Sequence, residues 1–185
     1  MKISISNIIG VLRVIIYKIR YGKRLKIDFS ESKKLVYIGK GCKVKIGKNS
    51  HLKISGGDYF DDYTYLSVQD GGVCIIEKDV YFNTFSKIYC INNIKIGNGC
   101  IFGSNTAIYD HNHNIVRNIP INKSGMRKGK VKIEDNVWVG TNSVILMGTS
   151  IKSGNVIGAN TVVSKNLSVR GVYCGMPAKL IKEIK

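Results

Sequence analysis

The sequence predicts an all-β fold, a three-sided coil of short parallel strands, and three observations carry that expectation. Between Ile133 and Val169 the residues Ile133, Val139, Ile145, Ile151, Ile157, Val163 and Val169 recur every six positions. Four residues after each of the first six stand Val137, Ser143, Thr149, Asn155, Thr161 and Leu167, and Gly140 and Gly158 directly follow two of the aliphatics. A helix needs an apolar period near 3.6 and a lone strand a period of 2, so a strict six suits neither. It suits short strands joined by tight corners, each strand placing one aliphatic side chain inside and three strands making a coil of about 18 residues.

The chain of 185 residues is 44% apolar and holds two prolines, with a mean hydropathy of −0.01. That balance suits one packed domain better than a disordered chain or a membrane bundle. The five cysteines are odd in number and form no C-x-x-C pair; Cys42 and Cys100 fall at the small position of a repeat. They read as buried thiols of a protein in a reducing cytoplasm. The net charge of +17 is uneven, because residues 1–53 hold 14 Lys and Arg against only Asp28 and Glu31. Such an end faces an anionic partner, either membrane lipid or an acidic glycan. Nucleic acid is disfavoured, since the aromatic residues there are scattered rather than interleaved with the charges.

In order along the chain, residues 5–21 place Ile5, Ile8, Ile9, Leu12, Ile15, Ile16 and Ile19 at helical spacing, with Ser4 or Ser6 as N-cap. The stretch is too short and too charged to span a bilayer, and no cleavage site follows it. The segment 1–27 is therefore expected to be a basic amphipathic helix, either capping the coil or lying on the inner face of an anionic membrane. The coil itself is expected over 34–174. Its first repeats are weak: Ile38 and Val44, then a shift of two to Ile46 and Leu52. Residues 55–72 lose the phase and read as a loop or distorted coil. The repeat returns at Ile76, Phe82, Ile88 and Ile94, slips by two to Ile96, Phe102 and Ile108, and then breaks for about 25 residues. An extra pair at a corner would absorb the slip. The break, an extruded loop over 109–130, is polar and basic and has no packing reason to exist, so it is where function is expected. Residues 175–185 read as a turn and a short terminal helix that covers the last coil.

Of the three histidines, His51 reads as surface, while His111 and His113 open the extruded loop. Histidine takes up and returns a proton near neutral pH, so either of the pair suits a general base that activates a hydroxyl. No cysteine lies in the loop to make a Cys-His nucleophile.

The six-residue unit resembles that of the hexapeptide-repeat acyltransferases, which implies a left-handed parallel β-helix. Residues 75–185 resemble maltose and galactoside acetyltransferases, whose catalytic histidine stands five positions past the last interior residue before the loop. Counted from Ile108, that offset selects His113, which also lies 25 residues before Trp138; His111 is the alternative. Asn83 matches an asparagine lining the acceptor site, although the acidic residue eight positions later in that family is Ile91 here. Asn136-Val137-Trp138-Val139-Gly140 resembles the family's Asn-Val-Trp-Ile-Gly, so Trp138 would border both substrates and Thr141 would offer its backbone to the pantetheine arm. Ala159, Ser164 and Lys165 match positions that grip that arm and the nucleotide, and Lys179 and Lys182 match residues that meet its phosphates. The basic helix and Tyr21-Gly22-Lys23-Arg24 further resemble capsule and O-antigen acetyltransferases.

The resemblance implies a homotrimeric O-acetyltransferase that takes acetyl from acetyl-coenzyme A, without a metal, and passes it to a saccharide hydroxyl on a nucleotide sugar, a lipid-linked unit or a polymer. N-acetylation of an amino sugar is the near alternative. A zinc enzyme like the left-handed-helix carbonic anhydrases would need a third histidine near the pair, and a non-catalytic scaffold would leave the histidine loop and Trp138 without a purpose.

Overall fold

A computed structural model describes residues 5–185. Three sheets of six, eight and six strands, parallel except for the last strand of the eight-stranded one, wrap around one apolar interior and are here called sheets A, B and C. Each coil runs through a strand of B, then C, then A; the fifth coil, for example, is Trp138–Val139, Val144–Ile145 and Ser150–Ile151. The strands of successive coils stack in register, Ile101 over Trp138 over Val156 in sheet B and Ile108 beside Ile145 beside Val163 in sheet C. The residues at the six-residue period from Ile133 to Val163 form the core, and Ile145, Ile151, Val163 and Val139 have no exposed surface, whereas Val169, the last of the series, lies past the final coil and is 43% exposed. Phe60, Phe82 and Phe102 stack along the interior of sheet B at centroid separations of 5.4 and 4.5 Å.

The small position of the repeat has a chemical reason. Ser86 and Thr106 turn a hydroxyl back to the carbonyls of Asn83 and Gly103 at 2.7 and 2.6 Å, which satisfies a partly buried corner carbonyl without adding bulk. The corners also need a left-handed residue, supplied by Asn136, Asn142 and Asn160 at φ of 56°, 59° and 56°. Asparagine tolerates that region better than other side chains do.

Four expectations are corrected. Residues 55–72 are a regular coil with strands Tyr59–Phe60 and Tyr65–Val68; Phe60 and Leu66 sit inside at the right spacing, an aromatic standing where an aliphatic was sought. The slips of two lie within strands rather than at corners, because Lys43–Ile46 and Asn93–Ile96 each turn two side chains inward. The coil starts earlier than residue 34, since Leu25–Asp28 pairs with the strand at 51–55 in sheet A. The expected C-terminal helix is a strand, Lys179–Glu183, antiparallel to Gly171–Cys174. The open edge of sheet B offers it a ladder of backbone partners that a helix would leave unpaired.

The helix α1, Ile5–Tyr21, crosses the open end of the first coil. Ser6 lies within it, and Ser4 is outside the described residues. Arg13, Tyr17, Tyr21 and Arg24 donate to the carbonyls of Ile38, Cys42, Val44 and Ile46 at 3.2, 3.0, 2.7 and 2.8 Å. A Cβ at Gly10 would collide with the Tyr37 ring, so glycine lets the helix approach this closely. Val14 and Tyr21 are buried in the contact, whereas Ile5, Ile8, Ile9, Leu12, Ile15, Ile16 and Ile19 all remain exposed.

Candidate functional site

The strand Ala107–Tyr109 of sheet C does not turn directly into sheet A. The chain leaves the coil at Asp110 and runs out through His111–His113, which pairs antiparallel with Met126–Lys128, His111 opposite Lys128 and His113 opposite Met126. It rejoins the stack at Lys130–Ile133, beside Asn93–Ile96. The extruded loop is thus a short hairpin with a tip over 114–125, and Ile115, Val116, Ile119 and Ile121 of that tip are exposed.

Asp110 fixes the base of the hairpin. Its side chain is fully buried and accepts hydrogen bonds from the backbone N–H of Ile91 at 2.9 Å and of Asn92 at 2.8 Å. Its carbonyl accepts the N–H of Gly129 at 2.7 Å, so one residue ties together the point where the chain leaves and the point where it returns. The remaining partner is His111, whose Nδ1 lies 3.0 Å from Asp110 Oδ1. A carboxylate that already accepts two N–H groups is an acceptor only, so the fitting tautomer carries its proton on Nδ1. Nε2 is then an unprotonated acceptor, the state a general base needs.

The two histidines differ in what holds them. The His111 side chain is 17% exposed and its ring stands edge-on to Tyr109, 6.3 Å between centroids. His113 is exposed, its backbone N–H is engaged by the Asn112 side chain, and its ring makes no hydrogen bond among the described residues. Both line one open groove of about 460 Å³, with Tyr109, Asn112, Arg127, Leu146, Met147 and Ser164. Asp110 falls in the loop where function is expected but has no role of its own in the sequence reading, and Leu146 and Met147 have none either. Asp110 alone had a signal, an acid next to a histidine where the repeat ends.

The expected site residues fall into two groups. His111, His113, Ser164 and Lys165 lie where sheet C turns toward sheet A. Trp138 is 55% exposed on the outer face of sheet B, and Asn83, Thr141 and Ala159 follow the sheet-B strands of three coils, at the corner toward sheet C. Asn83 closes that corner by accepting the Thr84 N–H at 2.8 Å. Lys179 and Lys182 are exposed on the added strand of sheet B. A strand of sheet C, on the order of 10–15 Å, separates the two groups within one chain. His51 is exposed at the start of the first coil's sheet-A strand, away from the pair. The thiols of Cys74, Cys90 and Cys100 are buried as expected, whereas Cys42 and Cys174 are only partly buried, and burial pushes the Cys100 thiol up to about 11.

Residues 130–165 match the family described as "Bacterial transferase hexapeptide (six repeats)". Over 120 residues the chain is 34% identical to the "Putative lipopolysaccharide biosynthesis O-acetyl transferase WbbJ" of Escherichia coli K12, covering 60% of this chain and 61% of that protein. Over 169 residues it is 25% identical to a dTDP-4-amino-4,6-dideoxy-D-glucose acyltransferase of Escherichia coli, covering 85% and 88%. The chain spans 36–61% of the length of four of the curated relatives it matches. Among solved structures it superposes on a point mutant of AntD, an N-acyltransferase from Bacillus cereus in complex with dTDP-4-amino-4,6-dideoxyglucose and coenzyme A. That superposition has a TM-score of 0.74 at 22% identity and covers 94% of this chain and 89% of that one. The fold is accordingly a left-handed parallel β-helix.

Proposed function

We propose that this protein transfers acetyl from acetyl-coenzyme A to a saccharide hydroxyl, in the synthesis of a bacterial surface polysaccharide, with His111 as general base. The observation that carries the reading is the Asp110–His111 pair at the rim of the groove. The buried carboxylate holds the imidazole in the tautomer whose Nε2 can take a proton, and it stabilises the imidazolium that forms. The hydroxyl proton passes to Nε2 as oxygen attacks the thioester carbonyl, and the same proton passes to the thiolate as the C–S bond breaks. No acyl-enzyme is needed. His113, which the family offset selects, would stand at the groove's outer rim with Asn112 and Arg127 and orient the acceptor.

The donor would lie along the corner and outer face of sheet B, with Trp138, Thr141 and Ala159 beside the pantetheine arm and Lys179 and Lys182 near its phosphates. Ser164 and Lys165 stand on the histidine side. Because the two groups are a strand apart in one chain, a second copy must bring the sheet-B face of one subunit to the hairpin of the next. The exposed apolar tip at Ile115, Ile119 and Ile121 supports a homotrimer in which a neighbour covers it.

N-acylation of a nucleotide-linked amino sugar is the second reading, favoured by the resemblance to the dTDP-amino-sugar acyltransferase over nearly the whole of both chains. Coenzyme A release measured on paired hydroxyl and amino-sugar acceptors separates the two. Release on neither, from a protein that sediments as a trimer, would overturn acetyl transfer to sugars.

A further inference from the structure

The two faces of α1 carry different chemistry. One face closes the coil: Val14 and Tyr21 are buried against it, and Arg13, Tyr17 and Tyr21 donate to the edge carbonyls of the first coil. At 100° per residue, the seven aliphatic residues from Ile5 to Ile19 fall on the opposite side in an arc of about 120° that contains no polar residue. They are 42–78% exposed. The cap therefore presents an aliphatic base pointing along the coil axis, away from the body of the protein.

We propose that this base seats the protein on an anionic lipid surface. Residues 1–27 hold seven Lys and Arg and no Asp or Glu; Lys23 and Lys26 follow the helix directly and are exposed. Aliphatic side chains entering the acyl boundary with lysines at the headgroup level are the arrangement that holds an interfacial helix. A second copy of the same end would match the aliphatic stripe but oppose cation to cation, and nucleic acid would gain nothing from a stripe of isoleucine. At 17 residues the helix is about 25 Å long, and no helix among the described residues is long and apolar enough to cross a membrane. It lies flat.

The full chain, mixed with phosphatidylglycerol-containing vesicles, is expected to co-sediment at least ~10-fold more than with phosphatidylcholine alone, and several-fold less at ~0.5 M than at ~0.1 M salt. Replacing Ile8, Leu12, Ile15 and Ile19 together by Gln should lower binding at least ~10-fold, with circular dichroism and sedimentation coefficient unchanged, because the capping face is untouched. Should that variant misfold, Lys23→Glu with Lys26→Glu, outside the helix, should lower binding to the anionic vesicles on its own. Equal binding to both vesicle types, or a glutamine variant that binds like the parent, overturns the proposal. So does a parent that ignores both vesicles while the glutamine variant drops to a smaller assembly, which would make the stripe a contact between copies.

Discussion

The regular coils at 133–169 and the hairpin at 109–130 are neighbours in the chain and obey opposite rules. In the coils each interior residue repeats the role of the one six positions before it, so Ile145, Ile151 and Val163 are wholly buried and exchanging them among aliphatics would alter little chemistry. In the hairpin no residue repeats another, and the strand Met126–Lys128 is exposed along its length. Its anchor is a single buried carboxylate, Asp110, with three backbone or side-chain donors on it. The stack is stable through redundancy; the excursion is defined by individual groups. A substitution should accordingly harm folding in the one and chemistry in the other.

The largest expected effect tests that division within the hairpin. General base catalysis is worth about 10² to 10⁴ in rate, so His111→Ala should lose on the order of that factor in kcat. His113→Ala, acting through acceptor placement, should lose about tenfold. His113→Ala should not shift thermal unfolding measurably, since that side chain is exposed; His111→Ala removes one of the three donors on buried Asp110 and should cost about 1–3 kcal/mol, too little to unfold the stack. If His113→Ala is the inactive variant and His111→Ala the active one, the carboxylate has misidentified the base and the family offset is right. Full activity in both would remove histidine base catalysis altogether.

Next in size is the converse test in the coils. Ile145→Ala opens a cavity at a position with no exposed surface and should cost about 2–5 kcal/mol in denaturant unfolding. Ile119→Ala, at the hairpin tip, should stay within about 0.5 kcal/mol. A tip variant as damaging as the core variant in the dissociated chain would mean that the hairpin has a core of its own.

The same division explains how much was legible in the sequence. Ile133 to Val163 could be placed inside because burial in a stacked coil leaves a period that no single element shares. The coil at 59–68 escaped because Phe60 fills an aliphatic position and Tyr63 takes the left-handed corner, at φ 61°, where asparagine or glycine would have signalled a turn. At the C terminus Leu180, Ile181 and Ile184 have helical spacing, but an unpaired sheet edge outweighs a weak local preference. In the hairpin the sequence brought both histidines forward and could not rank them by contact. The ranking depends on a carboxylate buried by Ile91 and Asn92, some twenty residues away along the chain, which no local pattern encodes.

The smallest effect lies at the seam where the hairpin hands the chain back to the stack. Glu134 follows the returning strand Lys130–Ile133 and reaches Lys132 Nζ at 2.9 Å, Lys152 Nζ at 3.4 Å and the Ser153 N–H at 3.3 Å, tying the fourth coil to the fifth. The hydrogen bond from Lys132, then those from Ser153 and Lys152, hold its carboxyl down at about 2, against an ordinary 4.5. A depressed carboxyl binds fewer protons folded than unfolded, so its contribution is complete above about pH 4.5 and is lost as the pH falls toward 2. Glu134→Gln does not titrate there. The melting temperature of the parent should exceed that of the variant near pH 7 by no more than about 2–4 °C, because the pairs are solvent-screened, and the two curves should converge by pH 2. A gap that stays constant from pH 7 to pH 2 would mean that Glu134 acts through shape rather than charge, and that the seam is packed like the coils and not pinned like the hairpin.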